Sequence, residues 1–352
     1  MRGLMLEGGG AKGAYEAGAV KALLKRKIQF DCIGGTSIGA INAAFCVQKN
    51  FDGMYKLWLS TDSEELFGIE SEMLKNITTH NLTREDIKKG LSTVKKIVKN
   101  RGIDTVNIRR ILEKNINEKK FRRSKIDFAM NTYSLSDRKP VEVFKKDIPE
   151  GKLIDYIISS AYLPVFKFER IIDDKYYIDG GFYSNCPVDM LVDALYDEIY
   201  VIRAWQKKMS IKNKNHAKIH IIGPREDLGS IMLFDPEMAE YRMNLGYYDT
   251  IKYLDNLDGN KYYFKNYNEE YYSRLFGSKD YKEIVKKYNK GLKIKNNKDF
   301  ILIIIEKICN ENKMDRFKVY NLPYLITRLK YKMAGKTKNY YYDFIKKIKV
   351  EF

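Results

Sequence analysis

The sequence predicts an α/β sandwich followed by a helical C-terminal region. Two observations carry this. Through the first 220 or so residues, short apolar runs alternate with longer amphipathic ones, the pattern of strands buried between helices. Beyond Gly223-Pro224 that strand pattern nearly vanishes and apolar residues recur at helical spacing. A boundary near residue 225 follows, between an α/β part (1–225) and a helical, basic part (226–352). With no Pro-rich or Gly/Ser-rich linker between them, the two are expected to pack together.

Taken in order, Gly3 to Leu6 reads as a strand and Lys12 to Lys27 as a helix. Ala14, Ala17, Val20 and Leu24 share one side of that helix, with Glu16, Lys21 and Lys25 turned away. Phe30 to Gly34 and Ile38 to Gln48 repeat the strand and helix. Further strands are predicted at Ile126 to Thr132, Val141 to Phe144, Lys175 to Ile178, Glu198 to Ile202 and Lys218 to Ile222. Residues 51–123 carry spaced Leu and Ile in Lys-rich text without a strong strand, so they read as a helical, cap-like insertion. In the C-terminal part, helices are predicted over Pro236 to Leu257, Tyr281 to Tyr288, Lys298 to Asn310, Tyr324 to Lys332 and Tyr340 to Val350.

Composition sets the bounds. A chain of 352 residues with 44% hydrophobic and 31% charged residues of both signs folds around a real core. The 64 Lys and Arg outnumber the 46 Asp and Glu, giving +18. That excess fits attraction to an anionic surface, and it equally fits a joint enrichment of Lys, Asn, Ile and Tyr from biased coding. Cys32, Cys46, Cys186 and Cys309 lie far apart with no CxxC, which argues against a zinc site or a disulfide scaffold. No signal peptide is expected from the first residues, and the densest apolar run, Phe300 to Ile305, is far below the roughly 20 residues that span a bilayer. A cytoplasmic protein is expected, with room for peripheral contact with an anionic membrane. No nucleic-acid partner is expected.

Three motifs carry chemistry. Glu7-Gly8-Gly9-Gly10-Ala11-Lys12-Gly13 follows a strand and opens a helix, where glycine N–H groups and the helix terminus favour an anion. Alone, it fits an oxyanion hole, a dinucleotide loop or a structural turn. Gly35-Thr36-Ser37-Ile38-Gly39 again joins strand to helix, the context of a nucleophile elbow. Tyr177-Ile178-Asp179-Gly180-Gly181 sets an aspartate just past a strand, which by itself is also a common surface turn. A serine needs a base, yet His80, His216 and His220 have no motif around them. A Ser-His-Asp triad is left without support.

GGGxxG, then GxSxG about two dozen residues on, then DGG much further on, resembles the patatin-like phospholipase family. Ser159-Ser160-Ala161 before Pro164, and Asn185-Cys186-Pro187-Val188 after the DGG, are similar to the family's surroundings. The resemblance covers roughly residues 2 to 225. It implies a three-layer α/β/α sandwich with a mostly parallel central sheet, and a lipid acyl hydrolase of phospholipase A type acting on glycerolipids. It also implies Ser37 as nucleophile, Asp179 as its base, and an oxyanion hole from the Gly8, Gly9 and Gly10 N–H groups. Lys12, Gly13, Gly35, Gly39, Gly180 and Gly181 support the motifs. The family often has Asp where this chain has Glu7, a position with no catalytic part. The scheme needs no metal or cofactor. Two other readings stay open: hydrolysis of neutral lipids or other acyl esters, and an idle lipid-binding protein on the same fold.

The C-terminal stretch places Phe344, Ile345, Ile348 and Phe352 at helical spacing among Lys346, Lys347 and Lys349. Such a basic amphipathic helix suits an anionic bilayer and suits packing on folded protein equally.

Overall fold

The computed structural model describes residues 1–68, 102–206, 209, 211, 217–289, 294 and 296–350. The chain divides into two compact units, Met1–Asp249 and Thr250–Phe352.

The first unit holds a seven-stranded sheet: β1 (Arg2–Leu6), β2 (Cys32–Thr36), β3 (Asp127–Ser134), β4 (Lys139–Phe144), β5 (Tyr177–Asp179), β6 (Glu198–Ile202) and β7 (Lys218–Ile222). The order runs β4-β3-β2-β1-β6-β7, with β5 also on β3. Five strands are parallel, and β4 and β5 run antiparallel to β3. All five residues of β2 and four of the five in β1 are buried, as expected of parallel strands covered on both faces. The helices are α1 (Gly13–Lys25), α2 (Ile38–Val47), α3 (Phe51–Ser60), α4 (Ser63–Phe67), α5 (Val106–Asn115), α6 (Glu118–Arg123), α7 (Leu153–Ser160), α8 (Val188–Asp193) and α9 (Pro236–Leu254). This is the mostly parallel sandwich expected from the sequence. Within 51–123 the described residues form α3 to α6, and Ile103 makes a parallel bridge to Phe166. Residues 69–101, including His80, lie outside the described residues, as does His216.

Register decides how the site forms. Strand β4 occupies one edge of β3 from Ala129 to Ser134, so β2 and β5 must share the other. Strand β2 ends with Thr36 opposite Asn131, and β5 ends with Asp179 opposite Thr132. The two strands therefore arrive from opposite directions and stop head to head beside the same strand, which puts Ser37 next to Asp179. Strand β2 begins at Cys32 rather than Phe30; the Phe30 ring instead packs edge-on against Tyr200 at 5.6 Å. The strand runs on to Thr36.

Two buried charged side chains stand out, one of them against expectation. Glu16, placed on the solvated side of α1 by periodicity, is fully buried, and its carboxyl accepts a hydrogen bond from Asn42 Nδ2 at 2.9 Å. Burial holds its acid well above the usual carboxylate range. Arg242 on α9 is 1% exposed. Its guanidinium donates to the carbonyls of Leu228, Ser230 and Leu233, and to Ala11 just after the glycine loop. Residues 226–249 thus belong to the same compact unit as the glycine motif.

The second unit contains α10 (Glu269–Arg274), α11 (Ser278–Tyr288), α12 (Asn297–Glu311), α13 (Leu322–Met333) and α14 (Tyr342–Lys347). A short parallel pair, β8 (Tyr263–Phe264) with β9 (Val319–Tyr320), was not anticipated. Phe300, Ile305, Leu329 and Phe344 are among its core residues. Phe344, Ile345 and Ile348 are all buried in that core, and Lys347 pairs with Asp280 and Glu283. The apolar face of the basic terminal helix is therefore already covered within its own unit; Phe352 lies outside the described residues. No helix among the described residues is long and apolar enough to cross a membrane.

Candidate active site

The site assembles at the junction of β2, α2 and β5. Ser37 has φ 56 and ψ −126, a strained backbone for a residue with a side chain. Three features hold it there. The Ser37 N–H donates to Ser160 Oγ at 2.9 Å, and that hydroxyl donates to the Asn131 carbonyl at 2.7 Å. The turn is too tight for side chains on either flank: a Cβ on Gly35 would come within 2.3 Å of Gly39 C, and one on Gly39 within 2.4 Å of the Leu6 carbonyl oxygen. Thr36 Oγ1 donates to Asn131 Oδ1 at 2.6 Å.

Ser37 Oγ donates to Asp179 Oδ2 at 2.5 Å. The other carboxylate oxygen accepts the Gly181 N–H at 2.7 Å, and Asn131 Nδ2 holds the Gly180 and Ser184 carbonyls. Asp179 is 4% exposed. Burial raises its acid from 3.8 to about 6, with the hydrogen bonds from Ser37 and Gly181 pulling the other way. At neutral pH it is mostly ionised and in contact with a hydroxyl proton it can accept.

The glycine loop divides into two parts. The Gly8 N–H donates to the Asn185 carbonyl at 2.9 Å, and Asn185 Nδ2 returns a bond to the Gly8 carbonyl at 2.8 Å. Gly8 is thus tied down by Asn185 and does not offer its N–H to a ligand, which departs from the expected role in an oxyanion hole. Among the described residues, the N–H groups of Gly9 and Gly10 make no hydrogen bond. Gly10 has φ 55, and a Cβ there would meet the Ile231 carbonyl oxygen at 2.2 Å. Gly13 begins α1, and its carbonyl accepts Asn42 Nδ2 at 3.0 Å.

Lys12 is buried: its ammonium sits 3.6 Å from the Trp205 ring centroid and 3.4 Å from Asp227 Oδ1, and burial lowers its pKa. It packs the loop and adds nothing to the surface charge. Glu7 makes a two-pronged pair with Arg203 at 2.8 Å and accepts the Ala204 and Trp205 N–H groups, while Trp205 Nε1 donates to the Gly8 carbonyl. A longer acid at position 7 therefore works as an anchor between β1 and the chain leaving β6. Asn131, Arg203 and Trp205 stood outside every motif, and only their contacts reveal their part.

His220 stacks on Tyr200 with centroids 4.2 Å apart and bonds Glu198. Glu198 opens β6, whereas Ser37 follows the far end of the neighbouring parallel strands. Among the described residues, no group of three or more His, Cys, Asp or Glu side chains is placed to hold a metal.

Ser37 opens on an apolar cavity lined by Ile38, Phe45, Trp58, Phe67, Phe166 and Phe234, with Gly10 at its polar end. Trp58 stacks on Phe234, and Phe67 meets Phe234 edge-on. An extended apolar group lying there would present a polar end to Ser37 and Gly10.

A family model described as patatin-like phospholipase aligns with residues 4–192. A putative patatin-like phospholipase domain-containing protein of Caenorhabditis elegans is 56% identical over 39 residues, 11% of this chain and 4% of that protein. Lysophospholipase nte1 of Aspergillus terreus is 57% identical over 42 residues, 12% of this chain and 3% of that one. The aligned segments thus span only a few per cent of these relatives' length. A solved structure of VipD from Legionella pneumophila covers 98% of this chain and 87% of its own at 14% identity and a TM-score of 0.40. More than half of the chain, including the glycine loop, the serine turn and the DGG turn, falls within the family model, and the chain belongs to the patatin-like phospholipase family.

Proposed function

We propose that the chain is a serine lipid acyl hydrolase of phospholipase A type, working through a Ser37-Asp179 dyad. The observation that carries this is the 2.5 Å contact from Ser37 Oγ to buried Asp179 at the end of an apolar cavity. Asp179 takes the hydroxyl proton as Ser37 attacks the ester carbonyl. The Gly9 and Gly10 N–H groups, with Gly8 held by Asn185, stabilise the tetrahedral oxyanion; each such donor is worth on the order of 10² to 10³ in rate. The proton passes to the departing alcohol, and water, activated by the same carboxylate, releases the fatty acid. The dipole of α2 adds favourable potential at the same point. The family membership supports a lipid ester as substrate, as do the lysophospholipase and esterase names of short-matching relatives. The catalytic part is the unit Met1–Asp249.

A fluorophosphonate probe tests the nucleophile. Wild-type protein should be labelled, and Ser37→Ala should not. Fatty-acid release from defined phospholipids, galactolipids and neutral glycerides then tests the substrate class. Labelling without release from any phospholipid would overturn the phospholipase reading in favour of another acyl ester, and absence of labelling in folded protein would leave an idle lipid-binding fold.

A further inference from the structure

A lipid hydrolase must collect its substrate from an aggregate, and the exposed apolar residues of the first unit are unevenly placed. Ten large apolar side chains of that unit are exposed among the described residues, and five of them, Leu135, Val165, Phe168, Phe182 and Tyr183, lie on the segments around Asp179. Phe168 is 69% exposed and Phe182 64%. These segments are tied to one another. The Asp179 N–H donates to the Tyr162 carbonyl, and the Leu135 N–H to the Tyr176 carbonyl. Phe168 stacks on Tyr176 with centroids 4.1 Å apart. The same stretch that turns Val165 and Phe168 outward turns Leu163 and Phe166 into the cavity beside Ser37. Register places Leu135 beyond the end of β3, past the level of Thr36 and Asn131, at the end of the sheet where Ser37 follows β2.

The charge there differs from the chain as a whole. Against a net +18, residues 135–139 and 162–183 together carry five basic and five acidic side chains. Three of the basic ones are paired: Lys167 with Asp104, Arg170 with Asp174, and Lys175 with Asp137. A rim that is apolar, aromatic and locally neutral fits the interface of a zwitterionic lipid surface better than the electrostatic field of an anionic one. Lys12 is buried against Trp205 and Asp227, and Lys347 of the terminal helix is paired with Asp280 and Glu283.

Resting on the lipid hydrolase reading, we propose that Leu135, Val165, Phe168, Tyr176 and Phe182 form the surface by which the protein docks on zwitterionic phospholipid, delivering the ester to Ser37.

The test uses the full chain carrying Ser37→Ala, so that binding is read without turnover and independently of whether Ser37 is catalytic. Sedimentation with phosphatidylcholine vesicles should show binding that persists as salt is raised. Adding Phe168→Asp should weaken it about tenfold or more, since a ring leaving water is replaced by a charge entering the interface, and Phe168→Leu should retain most of it. In the Ser37 background, Phe168→Asp should lower vesicle hydrolysis while leaving turnover of a small soluble ester unchanged. Equal binding by Phe168→Asp, or binding that requires anionic lipid and is lost in salt, would overturn the proposal, as would absence of vesicle binding by a protein that still hydrolyses soluble ester.

Discussion

Asp179→Asn separates function from stability, because the charge that the proposed chemistry needs is one the fold holds at a cost. Asp179 titrates at about 6 in the folded protein against an ordinary 3.8, so its ionised form is disfavoured there by roughly two pH units. At about 1.4 kcal/mol per unit, ionised Asp179 costs about 3 kcal/mol relative to an unfolded chain. Asparagine keeps the shape, can accept the Gly181 N–H and can face Ser37 Oγ with its amide, while removing that cost. The sign follows from linkage. Below pH 3.8 the aspartate is neutral in both states and the two proteins should be about equally stable. Between 3.8 and about 6 the folded state binds the extra proton, so wild-type stability falls with rising pH. Above 6 the variant should be more stable by up to about 3 kcal/mol. Only Trp58 and Trp205 are present, both beside the site in the first unit, so tryptophan fluorescence in urea titrations reports that unit. In the same variant, ester turnover should fall by at least about 10³, since the amide cannot take the serine proton. A stability difference independent of pH, or a variant less stable than wild type at pH 7, would refute the account of Asp179 as a desolvated carboxylate.

Two further outcomes follow from the contacts. Gly10→Ala should abolish detectable turnover, because the added Cβ would meet the Ile231 carbonyl oxygen at 2.2 Å and the residue has φ 55; circular dichroism should show the sheet retained, and loss of all structure would make Gly10 a folding residue instead. His220→Gln should leave turnover of a soluble ester within a few-fold of wild type, as its ring is engaged by Tyr200 and Glu198; a loss comparable to that of Asp179→Asn would restore a histidine-based mechanism.

Much of the candidate site was legible because its parts are local. A strand-to-helix turn flanked by glycines, as at Ser37, has a sequence signature since the backbone crowding that demands Gly35 and Gly39 lies mostly within the turn itself. The same holds for the glycines after Asp179, where the carboxylate takes its neighbour's N–H. Strand β6 matched the expected bounds because its apolar run is short and sharply delimited. Glu16 was misplaced because periodicity counts polarity and cannot anticipate a buried partner such as Asn42.

The sequence by itself determined the fold class and the order of the three motifs, and singled out Ser37 and Asp179 as candidates, since each motif depends on residues a few positions apart. Tertiary structure alone decided the rest. Ser37 and Asp179 meet because β2 and β5 end against the same edge of β3, a matter of register between strands more than a hundred residues apart. Pairing with Asn185 withdraws the Gly8 N–H and leaves Gly9 and Gly10 open. Arg242 binds the Ala11 carbonyl and the carbonyls of Leu228, Ser230 and Leu233, and residues 226–249 fall in the first compact unit although the strand pattern nearly vanishes beyond 224. A long-range hydrogen bond imposes no spacing on the chain between its partners, and so leaves no periodic trace in the sequence.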